Sequence, residues 1–277
     1  LVLDDCRDLR DRETALASIV ARGEKSVVYL SSRDQAVSLA RMLRHRLPEL
    51  AGRTAFYHAG LSRSARDRVE RAFRADELTC IVSTSAFGEG VNLPDIRHVA
   101  LYSLPFGQVE FNQMSGRAGR DGEPATVHAL FGSRDVRMNE RILSSSSPDR
   151  AALVSLWRAL SFLGAGGFEI ALDDEGIAQA ARDLDLSSPL AAREVASGVS
   201  IFSELGLCSI AGWGDSRRVL VASPPAHVEL ARSARYVEGE HALDAFARFS
   251  EWALTAPADE LIARVNRPIM PDFGTIV

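Results

Sequence analysis

The chain has 277 residues, 46% of them hydrophobic and 25% charged, a composition ordinary for a soluble globular protein of one large domain or two smaller ones. Its formal net charge of -5 argues against a generally basic nucleic-acid coat, and neither a membrane-length apolar run nor an amino-terminal signal segment is present, which predicts a cytoplasmic location. Cys6, Cys80 and Cys208 are too far apart for a metal-ligand set and read as reduced structural thiols. Leu1 in place of methionine suggests a piece of a longer chain.

"VLDD" at 2–5 is similar to an acidic strand end that holds magnesium, but no partner motif precedes it, and it reads as an opening strand. "GEKS" at 23–26 holds Lys25, the only lysine of the chain. The glycines that a G-x-x-x-x-G-K-S phosphate loop needs fall on Ile19 and Glu24, so no such loop is present. Short β-branched or aromatic runs at 26–31, 54–58, 79–84, 98–103 and 126–131 predict five strands. Helical patterns separate them, clearest at 34–47, where Ala36, Leu39, Ala40, Leu43 and Leu47 mark one face. Repeated βα units predict a parallel sheet with helices on both faces, whose ligands lie beyond the carboxyl ends of the strands.

That rule draws attention to three loops, "YHAGLSRSARDR" with Ser62 as a helix cap, "STSAFGEGVNLPD" and "LPFGQVEFNQMSGRAGRDG". They are expected to meet on one edge of the sheet. Nine arginines from Arg41 to Arg74 face only Glu49, Asp67 and Glu70. They could follow a phosphate backbone or simply be solvated helix faces. In "QMSGRAGRDG", Arg117 and Arg120 stand three residues apart, which predicts one face of a helix or its first turn, delivering two permanently charged planar forks to one phosphate.

In order and spacing, "YHAGLS", "STSAFGEGVNLPD" and "QMSGRAGRDG" resemble the closing motifs of superfamily 2 helicases, most nearly the RecQ type, over residues 24–140. The resemblance implies a RecA-like second lobe, with ATP bound in the cleft to a first lobe. It implies that Arg117 and Arg120 act as arginine fingers on the transferred phosphoryl group, with Gln113 near the same phosphate. Asn92 stands where many relatives place Asp to bond the ribose, and Gly90 belongs to the same nucleotide loop; the role of Glu89 is open. Ser32, Arg33, His58 and Thr84 would line a single-stranded DNA track through phosphate contacts, although His58 is equally readable as a strand-end histidine satisfied by its own loop. ATP and magnesium are expected only together with a first lobe, and the chain alone is expected not to hydrolyse ATP.

After residue 143 the pattern changes. "SSSSPDR" at 144–150 reads as a linker, and helices follow at 150–163 and 174–186. A third is expected to start with Ser188 and Pro189 as cap and first turn, placing Val195, Val199, Phe202 and Leu205 on one face. Two strands joined through Gly214, Asp215 and Ser216 complete a winged-helix-like domain, 151–225, in which the helix offers only Arg193 as an exposed base. A helical tail, 226–277, contains Trp252, which reads as core. The expected organisation is therefore a RecA-like α/β lobe at 1–143, the linker, the winged-helix-like domain and the tail.

The run from the linker through "SIFSELGLCSI" to "FARFSEWAL" is similar in pattern to the carboxyl-terminal region of RecJ-type single-stranded-DNA exonucleases. The six histidines, at 45, 58, 98, 128, 227 and 241, form no nuclease metal cluster. The favoured expectation is a RecJ-like exonuclease fused to a helicase lobe. The alternatives are the second lobe of a free-standing RecQ-like helicase, or a non-catalytic DNA-binding or docking platform.

Overall fold

The computed structural model describes residues 2–3, 9–87, 93–212, 216–222 and 228–265. All five expected strands form, as β2 (Ser26–Tyr29), β3 (Thr54–Tyr57), β4 (Cys80–Ser83), β5 (His98–Leu101) and β6 (Thr126–Ala129). The opening segment adds β1 (Val2–Leu3). They make one parallel sheet in the order β1-β6-β5-β2-β4-β3. The four central strands, β2, β4, β5 and most of β6, are buried, as continuous apolar runs in a parallel sheet should be.

Helices cover both faces, as expected. Leu16, Ile19 and Val20 of α1 (Leu9–Val20) and Leu39, Ala40 and Leu43 of α2 (Arg33–Arg46) pack with Val28, Val82 and Ala100 on one face. Tyr29 and Tyr57 share the register of Ser83, one residue on, and so face the other way. There Phe73 of α3 (Arg63–Arg74) stands edge-on to Phe87, with ring centroids 5.9 Å apart, and Tyr57 meets Phe87 at 5.1 Å.

The chain divides into two compact units, Leu1–Arg137 with Arg248–Val277, and Met138–Ala247. This differs from the expected boundaries at both ends. The serine run is partly helical: α5 (Ser133–Ser146) takes in Ser144, Ser145 and Ser146, whose hydroxyls donate to the carbonyls of Arg141, Ile142 and Leu143 instead of facing solvent alone, and only 147–149 separate it from the next helix. The tail does not stand apart as one domain. Phe249 and Trp252 of α9 (Ala234–Thr255) pack on Phe111, at 6.2 and 5.8 Å between centroids, and α10 (Ala258–Val265) also packs on the helix that carries Phe111.

The second unit holds α6 (Arg150–Leu163), α7 (Asp174–Leu184), α8 (Ala192–Glu204) and the antiparallel pair β7 (Cys208–Ala211) and β8 (Arg218–Val221). The expected pair of strands forms, and Ile170 adds a single antiparallel bridge to Val219 of β8. Gly214 and Asp215, expected to turn the hairpin, lie outside the described residues. Helix α8 starts three residues later than Pro189, because Glu194 reaches back to accept from the Ala191 N–H at 2.8 Å while Ser188 stays in a turn. A Cβ on Gly198 would lie 2.3 Å from Leu156, so glycine there lets α8 approach α6.

Candidate nucleotide and nucleic-acid site

Three of the adjacent strands, β2, β4 and β3, deliver the expected strand-contact residues at their carboxyl ends. Ser32 caps α2, its hydroxyl oxygen accepting from Gln35 N at 3.5 Å, and Arg33 opens the helix with an exposed side chain. Helix starts of this kind favour anions. Around Gly60, a Cβ would lie 3.2 Å from His58 Nδ1 and 3.4 Å from Arg33 Nη1, so two separate loops bring Arg33 and His58 together over a residue with no side chain. His58 Nδ1 is buried without a hydrogen-bond partner, so its own loop does not satisfy it. Thr84 follows β4, and its carbonyl accepts from Phe87 N at 3.3 Å and Ser83 Oγ at 2.7 Å.

The arginine pair stands elsewhere. Helix α4 (Gln108–Ser115) ends at Gly116, and Arg117 and Arg120 occupy the turns that follow rather than a helix. Parallel pairing of β5 with β6 requires the chain to return to the amino end of the sheet between them, and the arginines ride that return. The turn is pinned there by Gly119 N donating to Ile96 O at 3.0 Å, Asp121 N donating to Pro94 O at 3.2 Å, and an Arg97–Asp121 ion pair. Gly119 is required by its φ of +61° and by the 2.8 Å that would separate a Cβ from Glu123 O. The backbone of the third loop, carried by α4, thus returns toward the amino end of the sheet, whereas the first two loops keep their site residues at its carboxyl end.

Arg117 is half-buried and Arg120 exposed, with its Nε donating to Gly116 O at 2.9 Å; Gln113 is exposed on α4. Gly90, Asn92 and Glu89 lie outside the described residues, but both ends of their loop are described. On one side the Phe87 carbonyl accepts from the Tyr29 hydroxyl at 3.2 Å; on the other the Pro94 carbonyl holds the arginine turn. Burial raises the Tyr29 hydroxyl pKa well above its ordinary value, and the charges of Arg117 and Arg120 pull it down, so both guanidiniums bear on this one phenol. A small crevice beside it is lined by Tyr29, Ser31, Ser103, Pro105, Glu110 and Met114. It opens where the crossovers after β2 and β5 part in opposite directions, the place where open parallel sheets bind ligands.

Lys25 is structural. It is buried between Asp95 at 2.6 Å and Asp76 at 2.8 Å, with its ammonium 5.4 Å from the Phe73 ring centre. Burial works against the ammonium, and hydrogen bonds and charge from Asp76 and Asp95 more than reverse this, leaving its pKa raised. Within the arginine run, Arg44 donates to Thr54 O, Arg46 pairs with Glu13, and Arg53 donates to Asp76 O, so part of that run fastens the fold. In the second unit, a groove of about 930 Å³ beside α8 sets Arg193 and Arg217 against Asp173, Asp174 and Glu175. Arg217 is already paired with Asp174 at 2.7 Å, a poor surface for a phosphate backbone.

Sequence reasoning read Tyr29 only as a strand residue and gave no place at the site to Phe111, Phe249 or Trp252. A tyrosine at the end of a buried strand carries no local signal that its hydroxyl bonds a loop carbonyl 58 residues away.

Residues 11–122 match the helicase conserved C-terminal domain. The chain is 36% identical over 131 residues to the ATP-dependent DNA helicase RecQ of Pasteurella multocida, covering 47% of this chain and 20% of the relative. It is 34% identical over 134 residues to the probable ATP-dependent DNA helicase RecS of Bacillus subtilis, covering 48% and 26%. It is 39% identical over 107 residues to the bifunctional 3'-5' exonuclease/ATP-dependent helicase WRN of Mus musculus, covering 39% and 8%. Among solved structures, a DEAD box protein from Methanococcus jannaschii aligns over 48% of this chain and 37% of its own, at 25% identity and a TM-score of 0.41. The matched stretch amounts to about a fifth of the length of the RecQ relatives. The similarity thus falls on residues 11–122 of the first unit, to the carboxyl-terminal domain of superfamily 2 helicases, with RecQ proteins among the relatives.

Proposed function

We propose that the chain supplies the second motor lobe of a RecQ-like, ATP-dependent DNA helicase. The observation that carries this reading is the arginine turn, held to the Ile96 and Pro94 carbonyls just beyond the 88–92 loop and stiffened by the left-handed Gly119. In this reading Arg117 and Arg120 neutralise charge developing on the transferred phosphoryl group, while Gly90, Asn92 and Gln113 contact the nucleotide. Ser32, Arg33, His58 and Thr84 hold single-stranded DNA by its phosphates, without reading sequence. ATP and magnesium require a first lobe with a phosphate loop, since Lys25 is committed to Asp76 and Asp95. The relatives described above are helicases, one of them also an exonuclease, and this favours a motor lobe over a RecJ-type exonuclease fusion. A cytoplasmic location remains part of the proposal, and no described helix is long and apolar enough to cross a membrane.

The test is strand-stimulated ATP hydrolysis by the complete protein, with Arg120→Ala beside the wild type. Arg120 is exposed, so the variant should fold normally and lose activity by about 1,000-fold or more, the scale on which arginine fingers act. The chain alone should release no phosphate. Turnover by the chain alone that disappears in Arg120→Ala would overturn the division of labour, and an Arg120→Ala complete protein with full activity would overturn the finger role.

A further inference from the structure

Arg120 is bracketed by bonded neighbours. Gly119 and Asp121, on either side of it, each donate a backbone N–H to the segment that precedes β5, to Ile96 O at 3.0 Å and to Pro94 O at 3.2 Å. From the same segment Arg97 spreads three donors. Its Nε bonds Asp95 O at 3.2 Å, its Nη1 donates to Pro124 O at 3.1 Å, and its Nη2 pairs with the Asp121 carboxylate, whose other oxygen accepts from Glu123 N at 3.1 Å. The guanidinium thus grips the arginine turn at two points three residues apart, one of them a charge-assisted bond. An ion pair in open water would hold little, but these side chains are 19% and 28% exposed and the pair is backed by the second bond.

The base of the grip is itself fixed. Arg97 N donates to Lys25 O at 2.8 Å and Arg97 O accepts from Thr126 N at 2.8 Å, which ties the residue to the amino ends of β2 and β6. Arg120, by contrast, bonds within the turn, its Nε donating to Gly116 O at 2.9 Å, so its guanidinium goes where the turn carries it. We infer that Arg97 is a positioning residue: by holding Asp121 and the Pro124 carbonyl together, its planar fork sets the register of the turn that presents Arg120, and it acts on phosphoryl transfer through Arg120. This deepens the helicase reading and rests on it.

Arg97→Lys tests the fork, because it keeps a positive charge opposite Asp121 but replaces a plane of five donors with one point that cannot serve both partners. In the complete protein, the strand-stimulated kcat should fall by about tenfold or more, the scale of a small misplacement of a transition-state contact. The Kd for a single-stranded oligonucleotide and the KM for ATP should stay close to wild type. Introduced into Arg120→Ala, the same substitution should cost nothing further, since the group it positions is gone. Unchanged stimulated kcat in Arg97→Lys overturns the inference. So does a full additional loss in the double variant, which would show Arg97 acting by another route.

Hydrogen exchange on this chain separates a failure of the inference from a failure of the helicase reading. Arg97→Lys should speed exchange at 116–122 and leave β5 and β6 as in the wild type. Faster exchange throughout β5 and β6 would make Arg97 a general support of the sheet and overturn the inference. Unchanged exchange at 116–122 refutes the grip whatever Arg120→Ala does to hydrolysis. Full activity in Arg120→Ala refutes the finger role, and faster exchange confined to 116–122 would then leave the grip standing without it.

Discussion

Lys25→Met separates a structural lysine from a phosphate-binding one. The substitution keeps the apolar stem against Phe73 and removes the charge that holds Asp95 at 2.6 Å and Asp76 at 2.8 Å. Breaking a fully buried ion pair costs about 3–5 kcal/mol and an exposed one close to nothing. The lysine is only 7% exposed, but its carboxylate partners are 43% and 72% exposed and can rehydrate once released. The expected cost is therefore intermediate, about 2 kcal/mol, which lowers the melting temperature of a unit this size by about 4–8 °C. Because the folded pKa of Lys25 is raised, this contribution is fully present below the unfolded value near 10.5 and is lost only as pH rises through the folded one. Melts of wild type and variant should differ throughout pH 6–9 and converge only in strong alkali. ATP hydrolysis by the complete protein, per folded molecule, should not change. Lost hydrolysis with an unchanged melting temperature would refute the reasoning and return Lys25 to the nucleotide.

Gly119→Ala forces a side chain into a left-handed backbone with Glu123 O 2.8 Å from the new Cβ. It should cost about 1–3 kcal/mol in a denaturant titration and raise hydrogen exchange at 116–122, and an alanine variant as stable as wild type would show that the turn is not constrained as described. His128 is buried against His98, its Nε2 3.2 Å from His98 Nδ1, and burial, with the charges of His98 and Arg22, pulls its pKa from 6.5 down to about 4. A depressed histidine leaves stability intact above pH 6.5 and removes it as pH falls toward 4, because the unfolded chain takes the proton that the folded one refuses. The loss should be at most about 3 kcal/mol and should flatten in His128→Gln; an equally steep acid slope in that variant assigns it to other groups.

The parallel lobe was legible because its signals are local. Each strand is a run of β-branched or aromatic residues, and the α2 face is written in Ala36, Leu39, Ala40 and Leu43. The residue types of the candidate site were also legible, since glycine beside arginine or histidine is a visible pattern. What failed was place. The arginines were read as a helix face or first turn because the spacing of 117 and 120 says nothing of α4 ending before them and turning the chain back. The serine run was taken for a linker because hydroxyls that bond the preceding turn look, in sequence, like hydroxyls that bond water. Phe111 and its partners Phe249 and Trp252 share no local period, so nothing short of the folded chain reveals that they belong together.

That last pairing bears on how the protein is made. The lobe closes around Phe111 only when residues 249–261 exist, and the whole of Met138–Ala247 is synthesised in between. At about 5–20 residues per second the ribosome needs roughly 5–20 s to cover that distance. For that time a phenylalanine destined to be wholly buried waits for its partners, while the inserted unit, with a core drawn from its own helices and strands, can finish first. The inserted unit thus sets the interval during which the nascent lobe stays open at Phe111, and lengthening or deleting that unit changes how long the wait lasts.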